Sequence, residues 1–171
     1  MDRRTFLAIG MASVAGGLSG CSGVLGQRDS QESVTVESVA VGPSPGGELS
    51  VQPEGTAALL DFFATWCAPC KPQMSTLRSV HETFDQESLS MLSVTQETDT
   101  DAVKQFWRKY DGTWPVAVDA DLVASRRYDV TSIPTLIVLS ADGTEQLRHV
   151  GLASEQRLRD AVQDALDHSE A

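Results

Sequence analysis

An apolar run, Ala57-Ala58-Leu59-Leu60-Asp61-Phe62-Phe63, ends directly ahead of Trp66-Cys67-Ala68-Pro69-Cys70, and a helical pattern follows. A Cys-x-x-Cys pair at a strand-to-helix junction reads as a dithiol redox centre. The first sulfur then lies beside the free N–H groups of the helix's first turn. Those groups and the helix dipole favour negative charge, so the Cys67 thiol is expected to ionise more readily than a free one. The thiolate is the nucleophile of disulfide exchange, and Cys70 is near enough to resolve the mixed disulfide that forms.

Other uses of two cysteines compete with this one. A zinc half-site needs two more soft ligands, yet the remaining cysteine is Cys21, and His81, His149 and His168 show no paired ligand spacing. A purely structural disulfide would close a very short loop, worth only about 2 kcal/mol in the chain-entropy model. No bound cofactor is expected, because the two sulfurs carry the electrons themselves.

The leader reads separately from the fold. Asp2-Arg3-Arg4-Thr5-Phe6-Leu7 precedes a small, apolar stretch over residues 8–18. A basic start followed by a short apolar segment is an export signal, too short to span a bilayer. The paired arginines resemble a twin-arginine signal, and Leu18-Ser19-Gly20-Cys21 resembles a lipobox whose cysteine is lipidated. Lipidation would account for the odd cysteine of an exported protein. The expected layout is therefore a signal over residues 1–20, a Gly/Ser-rich flexible tether over 21–33, and one domain over 34–171. The protein is expected outside the cytoplasm, held to the cell membrane by a lipid anchor.

Charge narrows the partners. The chain carries 24 acidic against 13 basic residues, a formal net charge of −11. Loss of residues 1–20 removes two arginines and one aspartate, leaving −12. The acids are dispersed, which describes a solvated acidic surface and disfavours nucleic-acid binding, since phosphate contacts need clustered Lys and Arg. The only lysines are Lys71, Lys104 and Lys109. Few lysines with many aspartates resemble proteins of salt-loving organisms, where concentrated salt screens dense charge.

Along the domain, Val34, Val36 and Val39 to Val41 suggest a first strand, and Glu48 to Val51 a partner folding back after the turn-rich residues 42–47. Leu59 to Phe63 reads as the central strand, with helix from about Ala68 to Asp85, then a buried strand over Leu89 to Val94. Val103, Phe106, Trp107 and Tyr110 form the stripe of an amphipathic helix. An extended piece over Val116 to Val118, a short helix over Leu122 to Tyr128, a strand over Thr135 to Leu139 and another over Gln146 to Val150 follow. Ser154 is a good N-cap for a last helix. Met74, Phe84, Trp107 and Trp114 read as packing residues. Such alternation describes an α/β sandwich with a mixed sheet.

With Trp66-Cys67-Ala68-Pro69-Cys70-Lys71 and Ile133-Pro134-Thr135 in place, the chain resembles thioredoxin-fold proteins. More narrowly it resembles membrane-tethered, extracytoplasmic thiol-disulfide oxidoreductases of the TlpA-like family. That resemblance implies a mixed central sheet flanked by helices, with an extra N-terminal strand pair and an inserted helix. It implies Cys67 as attacking and Cys70 as resolving thiol, Trp66 at the substrate surface, and a cis bond before Pro134. Pro134 would present the Ile133 backbone to an extended polypeptide. Asp61 matches the buried aspartate that helps deprotonate the resolving cysteine; water-facing placement at a sheet edge is its alternative. Gln73 departs from the pattern, because many tethered relatives carry glutamate there. The implied partners are cysteine-containing exported proteins, for instance apocytochromes or copper-site proteins, and an upstream thiol donor. An extracytoplasmic Cu(I)-binding chaperone using the same dithiol, or a thiol peroxidase, is the alternative function.

Overall fold

The computed structural model describes residues 34–168; the signal, Cys21 and the tether expected from the sequence lie outside the described residues. The elements run β1 (Thr35–Ser38), β2 (Gly47–Ser50), β3 (Ala57–Phe63), α1 (Cys70–Thr83), β4 (Leu89–Thr95), α2 (Thr100–Lys109), β5 (Val116–Val118), α3 (Val123–Arg127), β6 (Thr135–Leu139), β7 (Glu145–Val150) and α4 (Glu155–Asp167). The seven strands form one mixed sheet in the order β2-β1-β5-β4-β3-β6-β7. The pairs β3–β4 and β4–β5 are parallel, which their crossover helices require, and the remaining pairs are antiparallel.

All seven residues of β3 are buried, as expected of a strand with neighbours and layers on both sides. Its alternation divides the core. Ala57, Leu59 and Phe63 face one cluster with Cys67, Cys70, Met74, Leu77 and α4, while Ala58, Leu60 and Phe62 face the other, with Ala124 of α3. Asp61 shares the parity of Leu59 and Phe63, so the strand aims it into the layer that holds both sulfurs.

Several boundaries differ from the sequence reading for local reasons. Val39 to Val41 are not in β1: Val39 N–H bonds to Val116 O, and Val41 pairs with Ser44 to close a turn. Helix α1 begins at Cys70 rather than Ala68, with Pro69 as the cap residue. α3 begins after Leu122, which sits in the left-handed region at φ 58°. Ser154 caps α4 as expected, accepting from Arg157 N–H. Trp107 and Trp114 are packing residues, meeting edge to face at 5.2 Å. Gly112 lies against Trp107 so closely that a Cβ would come within 2.2 Å of the indole, so only glycine fits.

Candidate active site

The C-terminal end of β3 delivers Ala64 to Pro69 as a turn onto α1. Cys67 N–H bonds to Ala64 O, and Cys67 and Cys70 are joined as a disulfide with Cα atoms 5.4 Å apart. Both cysteines are buried. No side chain caps the N-terminus of α1, and its first turn carries no acidic residue. The positive end of the helix thus meets the two sulfurs with no carboxylate from its own first turn between them.

Trp66 is 71% exposed, and Val150 and Leu152 are also exposed large hydrophobic residues. The Ile133–Pro134 bond is cis, and Gly151 N–H donates to Pro134 O, which ties this loop to the end of β7. A groove of about 320 Å³ runs between the two loops, lined by Trp66, Ile133, Phe62, Val94, Val130 and Glu97 among others. A larger cavity of about 430 Å³, beside β1 and β5, contains none of the site residues expected from the sequence.

Asp61 is 2% exposed on a central strand, which removes the sheet-edge alternative. Its pKa is pushed up from 3.8 to about 7 by burial, against a smaller lowering effect from the Ser93 hydroxyl. Ser93 stands opposite Asp61 in the β3–β4 register and donates to Asp61 Oδ2 at 2.7 Å. Gln73 is buried one turn into α1, and its amide binds one backbone unit at both ends. It accepts from Ala153 N–H at 2.9 Å and donates to Ala153 O at 3.4 Å. An ionised glutamate could make only the first of these bonds.

Glu97 and Ser93 carry no sequence mark of function. Glu97 accepts from Thr65 N–H at 2.6 Å and from Thr65 Oγ1 at 2.7 Å, bracing the residue just before Trp66. The contact joins residues 32 apart, so only a polar residue shortly after β4 could have hinted at it. Among the described residues no cluster of three or more His, Cys, Asp or Glu is placed to hold a metal ion, and no helix is long and apolar enough to cross a membrane.

A mixed sheet with flanking helices, a Cys-x-x-Cys turn at the start of α1 and a cis-proline loop together define a thioredoxin-fold dithiol protein. The chain belongs to the Redoxin family, whose pattern matches residues 40–166. It is 26% identical over 107 residues to the thiol-disulfide oxidoreductase ResA of Bacillus subtilis, covering 63% of this chain and 60% of ResA. To the sporulation thiol-disulfide oxidoreductase A of the same organism it is 22% identical over 122 residues, covering 70% and 74%. The chain spans about 52–64% of the length of its ResA relatives. The fold is shared with StoA from Bacillus subtilis, at TM-score 0.64 and 21% identity, covering 75% of this chain and 94% of that one. A secreted Mycobacterium tuberculosis disulfide oxidoreductase homologous to E. coli DsbE shares it too, at TM-score 0.64 and 23% identity, covering 77% and 96%.

Proposed function

We propose that the protein is a thiol-disulfide oxidoreductase acting through Cys67 and Cys70 on cysteine-containing polypeptides outside the cytoplasm. The observation that carries this is the joined sulfur pair at the uncapped start of α1, in a Redoxin-family chain with a cis-proline loop. The relatives named thiol-disulfide oxidoreductase support the same reading. Cys67, on the turn before the helix, is the attacking thiol. Cys70 resolves the mixed disulfide, and Asp61 takes its proton. A polypeptide substrate lies against Trp66 and pairs with the Ile133 backbone beside Pro134.

Export by the twin-arginine signal, lipidation of Cys21 and a tether over residues 21–33 complete the reading, with the domain starting at residue 34. Substrates are exported proteins whose cysteines must be reduced or oxidised before a haem or copper site is built, and an upstream thiol donor resets the dithiol. Molar salt stabilises the fold by screening the acidic surface.

The test compares wild type, Cys67→Ser and Cys70→Ser in dithiol-driven reduction of a protein disulfide. Cys67→Ser is expected to be inactive, whereas Cys70→Ser accumulates a mixed disulfide that wild type clears. Full activity in Cys67→Ser would overturn the assignment.

A further inference from the structure

Asp61 receives a hydrogen bond whose donor is itself held by a donor. Trp114 Nε1–H donates to Ser93 Oγ at 2.9 Å, and the Ser93 hydroxyl donates to Asp61 Oδ2 at 2.7 Å. An indole nitrogen is a donor only, so Ser93 Oγ must accept there, and its single proton is committed to the carboxyl group. The chain therefore runs one way. Trp114 is fixed in turn, because Trp107 Nε1–H donates to Trp114 O at 3.1 Å and the two indoles pack edge to face. Asp61, Ser93, Trp107 and Trp114 are all buried, so no bulk water replaces any of these bonds.

We propose that Ser93 and Trp114 are positioning residues for proton transfer from Cys70: their fixed donor chain holds Asp61 as an acceptor and directs the incoming proton to Oδ1. This rests on the reading of Asp61 as the proton acceptor. In the resolving step the Cys70 S–H bond breaks and its proton passes to Asp61 Oδ1. The Cys70 sulfur bonds to Cys67 Sγ, the bond from Cys67 to the substrate sulfur breaks, and the substrate leaves as a thiolate. Two electrons pass from the dithiol to the substrate disulfide. Oδ2 already accepts the Ser93 proton, which leaves Oδ1 as the less occupied oxygen for the incoming one.

The surroundings leave this chain in control of Asp61. Strands β4, β5 and β6 carry no ionisable side chain, and no neighbouring charge contributes to the Asp61 shift. On α1 the ionisable groups besides Cys70 are Lys71, Arg78, His81 and Glu82. Of these, His81 lies tilted against Trp114 with ring centroids 5.8 Å apart, its pKa lowered by burial against a raising effect of Glu82. Helix α2 turns Val103, Phe106 and Trp107 inward, and α4 turns Leu158, Ala161, Val162 and Ala165 inward. The charged residues of α2 (Asp101, Lys104, Arg108, Lys109) and of α4 (Glu155, Arg157, Arg159, Asp160, Asp164, Asp167) are at least partly exposed.

The experiment mixes the reduced full chain, carrying Cys21→Ser so that the third thiol gives no release of its own, with dithiobis-nitrobenzoate, which reports Cys67 attack and Cys70 resolution as two successive releases of thionitrobenzoate. The resolution rate is followed across pH for wild type, Asp61→Asn, Ser93→Ala, Ser93→Thr and Trp114→Phe. Asp61→Asn is expected to abolish the inflection of the second phase. Ser93→Ala moves that inflection upward by about one pH unit, since a hydrogen bond to the ionised carboxylate is lost. Trp114→Phe moves it the same way by less, and Ser93→Thr, which keeps the hydroxyl, returns it to the wild-type position. If Asp61→Asn keeps the inflection, the acceptor reading falls and this proposal with it. If Asp61→Asn abolishes it while Ser93→Ala and Trp114→Phe leave it in place, the donor chain alone is overturned. Should Ser93→Ala not fold, Trp114→Phe decides by the same criterion.

Discussion

Two aspartates of this domain are equally buried and differently supplied. Asp119, 1% exposed, lies just before α3 and accepts from Ala124 N–H at 3.1 Å, Ser125 N–H at 2.8 Å and Ser125 Oγ at 2.8 Å. Asp61, 2% exposed, has the Ser93 hydroxyl on Oδ2 and no helix terminus to serve. Each serine is backed by a further donor, Gln96 Nε2 behind Ser125 and Trp114 Nε1 behind Ser93. The backbone makes the difference. Two amide protons of a helix start tie Asp119 to structure, whereas Asp61 lies among apolar side chains whose burial raises its pKa. A buried carboxylate with few donors holds its proton more readily, which suits Asp61 to carry one.

The largest expected effect follows from Asp61. Its pKa rises from the ordinary 3.8 to about 7 in the fold, so the folded state holds the proton more tightly. Stability from this group is fully present below 3.8 and is lost as pH rises through about 7. The loss amounts to about 4 kcal/mol at most. Asp61→Asn should escape it, so the variant gains on wild type as pH rises from 4 to 8 in denaturant titrations. A constant difference between the two proteins over that range would show that Asp61 is not desolvated.

Asp119 should behave oppositely. Removing it strands two N–H groups and a hydroxyl at the start of α3, and Asp119→Ala is expected to cost about 3 kcal/mol. Urea midpoints check this, with the rate of thiol exchange left unchanged. A cost comparable to that of an exposed substitution would erase the contrast between the two sites.

The contrast also marks what was legible in the sequence. The cysteine turn is a local pattern at an element boundary and reads directly. Asp61, six residues before it in an apolar strand, and the bond before Pro134 are legible only through the family resemblance, since the strand alone leaves Asp61 a sheet-edge placement. Ser93 was not legible: within Leu89–Thr95 it is one small residue of a buried strand, and its role arises from cross-strand register with Asp61. Asp119 carries no sequence mark, because the helix it serves is five residues long and starts after a left-handed leucine. Trp114 reads as a packing residue and is buried, but periodicity carries no information about which way an indole N–H points.

Asp99 sharpens the comparison by removing burial. Its Oδ1 accepts from Asp101 N–H and Ala102 N–H, each at 3.1 Å, at an exposed start of α2. Asp99→Ala should cost about 1 kcal/mol, the ordinary value of a cap whose orphaned donors water can serve. If it matches Asp119→Ala, burial adds nothing to a capping carboxylate.

Glu97 supplies the smallest energetic effect and the most local functional one. Both its oxygens bind Thr65, through N–H on one side and the hydroxyl on the other, and the side chain is only half-buried. Glu97→Gln keeps the volume but aims an N–H group at one of the two donors, so one contact is lost. Water reaches the site and softens the loss to about 0.5–1 kcal/mol. Thr65 directly precedes Trp66 and lies two residues before Cys67, so loosening it frees the wall of the groove without touching the sulfurs. The expected result is a several-fold lower kcat/KM for a protein disulfide, carried by KM, with the dithiobis-nitrobenzoate attack phase unchanged. A small reagent needs no groove, which is why the two substrates separate positioning from chemistry. Equal losses on both would place Glu97 in the electrostatics of Cys67 instead, and the division between a proton-carrying buried carboxylate and purely structural ones would have to be redrawn.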